Sequence, residues 1–287
     1  MAKRILIQTT IPAIADDWHV GRFSILANYL GSLTDDAGAQ RFQVTARDHS
    51  PSGGPDPVLS ALDTSDYDQL WLFAVDVGDG LTVEDCAAIG RFRERGGGIM
   101  ATRDHQDLGS SICTLGGVGK AHHFHSTNPE PGERCRRDDQ ATADIDWPNY
   151  HSGSNGDFQA ITLADPGHPL VRDPDGEGGR LGFLPAHPHE GAVSAPPDEP
   201  SARVVATGVS AVSGARFNLI VAFDGDDGMG RAVAQSTFHH FCDYNLDPRA
   251  GCPSFVSEPP SDRMLADPRG RRSAECYFRN LAEWLSP

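Results

Sequence analysis

The sequence predicts an α/β protein in which helices cover both faces of a mainly parallel central sheet. The first observation is an alternation of strand-like and helix-like segments, in the order β-α-β-α-β-α-β, that extends to Thr102. The second is that these strands are apolar almost without interruption. Near-continuous apolar runs are typical of parallel strands that are buried on both faces of a sheet.

Each element of this alternation has its own signal. The strands are short apolar runs, predicted at Arg4–Thr9, Arg41–Ala46, Tyr67–Val75 and Gly98–Thr102. Gly21–Thr34 carries apolar residues at helical spacing, and a short helix is expected before the third strand. Thr82 is a suitable N-cap for a helix that ends at Arg95, because acidic residues follow it in the first turn.

The second half of the chain is less regular. Further strands are predicted at Phe158–Leu163, Val204–Thr207, Phe217–Phe223 and Ala232–Thr237. An amphipathic helix is predicted at Ser273–Leu285. Residues 109–157 and 249–272 are predicted to be loop insertions, and loops of such length are usually lids or binding loops. Because no repeat or linker interrupts the chain, residues 1–287 are expected to form a single domain.

Charge and cysteine content limit the function classes. The chain has 287 residues and a formal net charge of −16, so nucleic acid and membranes are not expected as partners. The six cysteines are scattered, no segment resembles a secretory signal, and no apolar run could span a bilayer. We therefore expect a cytoplasmic protein with reduced thiols and a small-molecule substrate. Whether it forms a homo-oligomer stays open.

His105 stands where chemistry is expected in such a sheet. Gly96–Gly98 lead into a short strand, and Asp104, His105 and Asp107 follow its carboxyl end. Ligands of open α/β sheets bind in the crevice outside the carboxyl ends of the strands. More imidazoles follow later strands, in the segments His187-Pro188-His189-Glu190 and Phe238-His239-His240-Phe241.

These side chains predict a divalent-metal site. Imidazole and carboxylate groups bind Zn, which we favour, and also Mn, Fe, Co or Ni, and an ion with an open position can activate water. Since neighbouring residues of a strand point to opposite faces, only one of His239 and His240 should reach the site. The predicted ligands are His105, His189, Glu190 and His240. The alternative is that these histidines bond buried backbone groups at strand ends.

Other polar groups near the predicted site receive catalytic or binding roles. The residues expected to move protons are His105, Glu190 and Asp107, although Asp107 could equally be the N-cap of a helix. Substrate contacts are assigned to His19, Asp104, Gln106, His187 and His239, with a plain surface loop as the alternative for His19. The cluster His122–His125 is expected at the surface or in a lid. Tyr150–Asp157 is predicted to be a turn that could also line the pocket.

Four short segments carry a family resemblance. They are the glycine-led strand before His105, the His-Pro segment Asp165–Leu170, the acidic segment His187–Glu190 and the Gly-Arg-strand-His segment Gly230–His240. Together they resemble the ThuA-like (trehalose-utilisation) proteins of the class I glutamine amidotransferase-like superfamily. The resemblance implies a flavodoxin-like three-layer fold. Amidotransferases proper place a Cys nucleophile on an elbow after the strand that here ends near Thr102, and this chain has no cysteine there.

The function expected from these features is metal-dependent chemistry of the hydrolase or lyase type on a small polar molecule. The resemblance implies a sugar-derived substrate. One alternative is a non-catalytic ligand-binding or interaction protein of the same fold. Another is a cysteine-dependent, amidotransferase-like hydrolase that uses Cys113 or Cys242.

Overall fold

The fold is built on one large sheet and two small ones. The computed structural model describes residues 1–50, 53–139, 141–142, 144–225 and 228–287, so Gln140 and Ala143 of the first predicted insertion lie outside the described residues. The strands are β1 (Lys3–Thr9), β2 (Phe42–Arg47), β3 (Gln69–Phe73), β4 (Gly98–Thr102), β5 (His122–His123), β6 (Phe158–Ala160), β7 (Thr162–Leu163), β8 (Phe183–Pro185), β9 (Ala192–Val193), β10 (Ala202–Val209), β11 (Arg216–Phe223) and β12 (Ala232–Gln235).

The eight-stranded sheet has the order β2-β1-β3-β4-β12-β11-β10-β7. Its first five strands run parallel to one another, and β11, β10 and β7 continue the sheet in antiparallel pairing. Separate two-stranded antiparallel sheets are formed by β5 with β9 and by β6 with β8. The expected α/β fold with a mainly parallel central sheet is therefore confirmed.

Helices cover both faces of the large sheet. They are α1 (Ser24–Ser32), α2 (Val83–Glu94), α3 (Gly117–Lys120), α4 (Asp243–Leu246), α5 (Arg263–Ala266) and α6 (Pro268–Leu285). Successive strand residues point to opposite faces, so Ile5 packs in one core cluster with α1 and α6, whereas Leu6 packs in the other with α2. This division produces three layers. None of the described helices has both the length and the apolar character needed to cross a bilayer.

Two predicted element boundaries are wrong, each for a local reason. The expected strand Phe158–Leu163 is divided: β6 pairs with β8, whereas β7 forms the edge of the large sheet beside β10. The last helix begins at Pro268 instead of Ser273, inside the segment predicted as a loop. Asp267 caps it by accepting the backbone N–H of Arg269, and proline is well suited to the first helical position, where no N–H donor is needed.

An aromatic cluster packs between the sheet and one helical layer, and replacing Phe73 tests how much this packing contributes to stability. Phe73 is fully buried, stacks on Phe23 at 4.2 Å between ring centroids and meets Phe241 edge-on at 5.6 Å. We expect Phe73→Ala to lower the free energy of unfolding by about 3–5 kcal/mol, because the cavity it leaves cannot collapse fully. Urea denaturation checks this, with the exposed Val77→Ala as a control that should change stability by less than about 0.5 kcal/mol. An equal loss in both variants would contradict the expectation.

Candidate metal centre

Two adjacent parallel strands deliver the first residues of the site. β4 and β12 are paired so that Thr102 lies opposite Gln235, and both strands end at this level. Beyond β4 the chain continues into Asp104, and beyond β12 it enters a 3-10 turn at Phe238–His240. As a result, the Nε2 atom of His239 lies 3.6 Å from Oδ2 of Asp104.

The segment after β8 brings two more imidazoles to the same place. His187 Nε2 lies 3.3 Å from Asp104 Oδ1, and the His187 ring stacks on the His239 ring at 3.6 Å between centroids. Gly191 permits this close approach. A Cβ atom there would lie only 2.4 Å from an Arg103 guanidinium nitrogen and 2.5 Å from the Asp104 carbonyl oxygen.

These residues line a cavity of about 80 Å³ at the carboxyl edge of the sheet. The polar part of the lining consists mainly of imidazoles and carboxylates. The apolar part consists of Trp18, Ile145, Phe255 and Val256. The full lining is Trp18, Asp104, His105, Thr142, Ile145, Asn155, His187, His189, His239, Phe255, Val256 and Glu258.

A buried amide network determines the tautomers of His187 and His239. Asn245 Nδ2 donates to the carbonyl oxygen of Ala186 and to Asn155 Oδ1, which orients both amides. The oxygens Asn155 Oδ1 and Asn245 Oδ1 therefore accept the Nδ1–H groups of His187 and His239, each at 2.9 Å. Both Nε2 atoms then carry lone pairs that face the Asp104 carboxylate. Metal-bound histidines have this arrangement, in which the second nitrogen donates to a fixed acceptor.

The electrostatics of the cluster favour neutral imidazoles around an ionised carboxylate. Burial lowers the pKa of His105 to about 4 and the pKa of His187 well below its usual range. Burial alone would raise the pKa of Asp104, but the nearby imidazoles His187, His105 and His239 hold that pKa well below its usual range. Neutral imidazole and ionised carboxylate are the protonation states that bind a metal ion.

The spacing of these atoms also fits a metal ion. Two ligand atoms of a tetrahedral zinc ion, with bonds of about 2.0–2.1 Å, lie about 3.3–3.4 Å apart. The Asp104 oxygens lie 3.3 Å from His187 Nε2 and 3.6 Å from His239 Nε2. Among the described residues, the buried Nε2 of His187 has no hydrogen-bond partner. Ligand atoms of Asp104, His187 and His239 lie within 4.8 Å of one another, so the three residues form a candidate metal site.

His105 and His189 complete the imidazole cluster. His105 Nε2 lies 3.4 Å from Asp104 Oδ2, and the His105 ring lies 5.3 Å from the His189 ring. His189 in turn lies between two carboxylates, with Nε2 donating to Glu258 Oε1 at 2.7 Å and Nδ1 at 3.2 Å from Asp139 Oδ2. The hydrogen bond from His189 lowers the pKa of Glu258 to about 2.

Glu190 and His240, two of the predicted ligands, do not line this cavity. His240 Nδ1 accepts from Gln235 at 2.6 Å, and His240 Nε2 donates to Glu190 at 3.0 Å. The Glu190 carboxylate also accepts from Ser152 and from Ser236, each at 2.8 Å. Because the imidazole has both nitrogens engaged and Glu190 is fully buried, this pair forms a separate structural network. The prediction is corrected: His239, and not His240, faces the site with His105 and His189.

Three other predicted site residues also lie outside the cavity lining. Asp107 accepts from the backbone N–H and the hydroxyl of Ser126, so it orders a turn and is not placed to move a proton in the cavity. Gln106 adopts a left-handed φ of 50° and its side chain accepts from the Asp146 backbone. His19 caps a 3-10 turn by accepting the Gly21 N–H, and the adjacent Trp18 contacts the cavity instead.

Most of the residues that support the site were not predicted from the sequence. Trp18 was a signal, since a large aromatic residue in a polar loop needs a partner, and it meets His239 edge-on at 4.6 Å. Asn155 lies in the turn that was expected to be able to line the pocket. Asp139 and Glu258 had no local signal, because they lie in irregular segments, and Asn245 lies in the short helix α4 and acts only through tertiary contacts.

The two cysteines considered for covalent catalysis are poorly placed for it. Cys242 is fully buried, and neither Cys242 nor Cys113 lines the cavity. Burial raises the pKa of both thiols, so the reactive thiolate is disfavoured at neutral pH.

Comparison with known proteins is informative about the fold. No protein-family model and no curated protein matches the sequence. The glutaminase domain of Trypanosoma brucei CTPS, solved with bound acivicin, has a TM-score of 0.51 at 14% identity, covering 98% of this chain and 94% of that one. The cytoplasmic protein STM3548 from Salmonella typhimurium has a TM-score of 0.49 at 11% identity, with 99% of each chain covered. The glutaminase domain supports the expected amidotransferase-like fold, whereas the ThuA-like assignment stays a prediction.

The histidine cluster after α3 differs from the expectation of a surface group. His122 is fully buried in β5, where its Nδ1 donates to the Val118 carbonyl, while His125 remains exposed. Burial, together with the positive charge of Arg103, lowers the pKa of His122 to about 3.

This burial predicts a pH dependence of stability. The unfolded chain protonates His122 near pH 6.5 but the folded chain does not, so stability falls as the pH drops below that value, by about 1.4 kcal/mol per unit. We expect His122→Gln to reduce the loss of unfolding free energy between pH 6.5 and 5 by about 2 kcal/mol, measured by urea denaturation. The exposed control His125→Gln should keep the wild-type slope. A wild-type slope in His122→Gln would show that the residue does not titrate as described.

Proposed function

We propose that the protein is a metal-dependent hydrolase for a small polar molecule, and that Asp104, His187 and His239 hold a divalent ion, zinc in the first place. The observation that supports this most directly is the pair of Nε2 lone pairs directed at a buried carboxylate. Without an ion, those lone pairs and the Asp104 charge would face one another at 3.3 and 3.6 Å in a buried site. Such an arrangement is costly unless a cation compensates it.

The residue that follows β4 at the carboxyl edge of the sheet is consistent with metal-dependent hydrolysis. At the end of β4, where amidotransferases proper would carry a Cys nucleophile, the chain has Asp104 at the base of the imidazole cluster. A bound divalent ion supplies Lewis acidity, which polarises a substrate oxygen or lowers the pKa of a water molecule. Since neither Cys113 nor Cys242 lines the cavity, the cysteine-dependent alternative has less support.

His105 is the residue best placed to move a proton. Its ring lines the cavity, and its buried Nδ1 has no hydrogen-bond partner among the described residues. Burial lowers the pKa of His105 to about 4, so the ring is neutral at pH 7 and keeps a lone pair on one nitrogen. Asp104 orients it through the contact at 3.4 Å.

The two long insertions contribute side chains to the cavity lining. Thr142 and Ile145 reach the cavity from the first insertion, and Phe255, Val256 and Glu258 reach it from the second. A cavity of about 80 Å³ has room only for the reacting group of a substrate. The apolar residues of the lining can contact a less polar part of the same molecule. A sugar-derived substrate is consistent with this mixed lining, because sugars have polar edges and apolar faces.

Metal binding by the purified protein tests the proposal. We expect about one zinc ion or more per chain to be retained after dialysis, and Asp104→Asn or His239→Ala to lose the ion held at this site. Plasma mass spectrometry measures the metal content, and circular dichroism checks that each variant is folded. The controls are His19→Ala and His125→Ala, whose side chains lie outside the cavity and should keep wild-type content. Metal-free wild-type protein that also fails to bind added zinc would overturn the proposal.

The amide network gives a second, independent test. Asn245 does not line the cavity but accepts the Nδ1–H of His239, so Asn245→Ala should weaken zinc affinity about 10–100-fold without removing a ligand. Titration with a competing chelator measures this affinity. Asn218→Ala is a matched control, because Asn218 also donates to a backbone carbonyl but lies in β11. Equal affinities in the two variants would argue that the network does not orient a ligand.

A further inference from the structure

A second cluster of possible ligands lies beside the same cavity, which two of its members, His189 and Glu258, line. Asp139, His189 and Glu258 each offer a ligand atom within 4.8 Å of the others. We infer that Asp139 and His189 form a second cation subsite, with Glu258 orienting the His189 ring, and that the protein holds a pair of divalent ions. The inference rests on the proposed function, since it adds a second ion to the one held by Asp104, His187 and His239.

The tautomer of His189 supports a cation at this position. Nε2 donates to Glu258 Oε1 at 2.7 Å, so Nδ1 of a neutral ring carries the lone pair. That lone pair lies 3.2 Å from Asp139 Oδ2. The relation repeats the one between His187 and Asp104 in the first site, where the distance is 3.3 Å. In both sites, a second side chain accepts the proton of the other ring nitrogen.

The facing atoms of His189 and Asp139 are available to bind a cation. Among the described residues, neither His189 Nδ1 nor Asp139 Oδ2 has a hydrogen-bond partner, although both side chains are more than nine-tenths buried. A doubly protonated His189 would donate to Asp139 as well as to Glu258. The Nδ1–Oδ2 pair does not have hydrogen-bond geometry, so a proton does not satisfy it. The 3.2 Å separation is close to the about 3.3 Å expected between two ligands of one tetrahedral ion.

The two candidate ion sites lie close together. The His189 ring lies 5.4 Å from the His187 ring and 5.3 Å from the His105 ring, and all three line one cavity. Two ions in such neighbouring sites can clamp both the attacking and the leaving oxygen of a hydrolysed group. The paired site therefore favours a substrate whose reacting group presents two oxygens, such as an ester or a phosphate ester.

The second subsite also explains the position of the two insertions. Asp139 comes from the first insertion and Glu258 from the second, and both contact His189 of the central segment. Thr142 of the first insertion donates to Glu258 of the second. An ion bound to Asp139 and His189 would therefore hold the insertions closed over the cavity.

Zinc stoichiometry tests this subsite. We expect the wild-type protein to bind two zinc ions per chain in isothermal titration calorimetry, and Asp139→Asn to bind one. Glu258→Gln should keep both ions but weaken the second about 10–100-fold, because Glu258 orients the His189 ring. Asp262→Asn is the matched control, since this exposed carboxylate lies in the same insertion as Glu258 and outside the cavity.

The outcomes separate the two proposals. If wild-type protein binds one ion, which Asp104→Asn removes and Asp139→Asn does not, the first site stands and the second subsite is overturned. If both variants bind one ion while the wild type binds two, the paired site is supported. Protein that binds no zinc at all overturns both. A folded Asp139→Asn variant that still binds two ions also overturns the second subsite.

Discussion

The buried carboxylate of Asp104 is the constraint on which the site depends. Its oxygens lie 3.3, 3.4 and 3.6 Å from the Nε2 atoms of His187, His105 and His239, and Thr237 donates to it at 2.8 Å. An ionised carboxylate that is only 2% exposed is costly unless its charge is compensated. The strand register and the amide network bring the imidazoles and the Thr237 hydroxyl to this position.

In two pairs of adjacent residues, one side chain faces the cavity and the other lies in the interior. His189 and His239 face the cavity, whereas their neighbours Glu190 and His240 bond to each other in the interior at 3.0 Å. This buried pair connects the segment after β8 to the turn after β12. The connection holds the two cavity-facing imidazoles in place without contacting a ligand. Glu190 and His240 are thus positioning residues, and their hydrogen-bond network lies in the interior beside the cavity.

The irregular insertions have a comparable division of roles. Among the described residues, neither insertion contributes a strand to the large sheet, whose edge strand β7 begins after the first insertion. Their side chains nevertheless form part of the cavity lining, with Phe255 and Val256 as apolar groups and Glu258 as a polar group. Long loops of this kind commonly carry function because a rigid sheet positions their ends. Here the sheet positions Asp104 and His239, and the insertions add side chains to the cavity that these residues line.

The sequence by itself determined the layered α/β fold and the edge of the sheet where the site lies. Apolar runs and helical spacing are local patterns, and the rule that ligands bind at the carboxyl ends of strands placed His105 and His187–Glu190 there. Only the tertiary structure decided which imidazole of each pair faces the cavity. That choice depends on the 3-10 turn after β12, and on partners such as Asn155 and Asn245 that are distant in sequence. Such contacts leave no periodic trace, so Asp139 and Glu258 were recognisable only after the insertions had folded over His189.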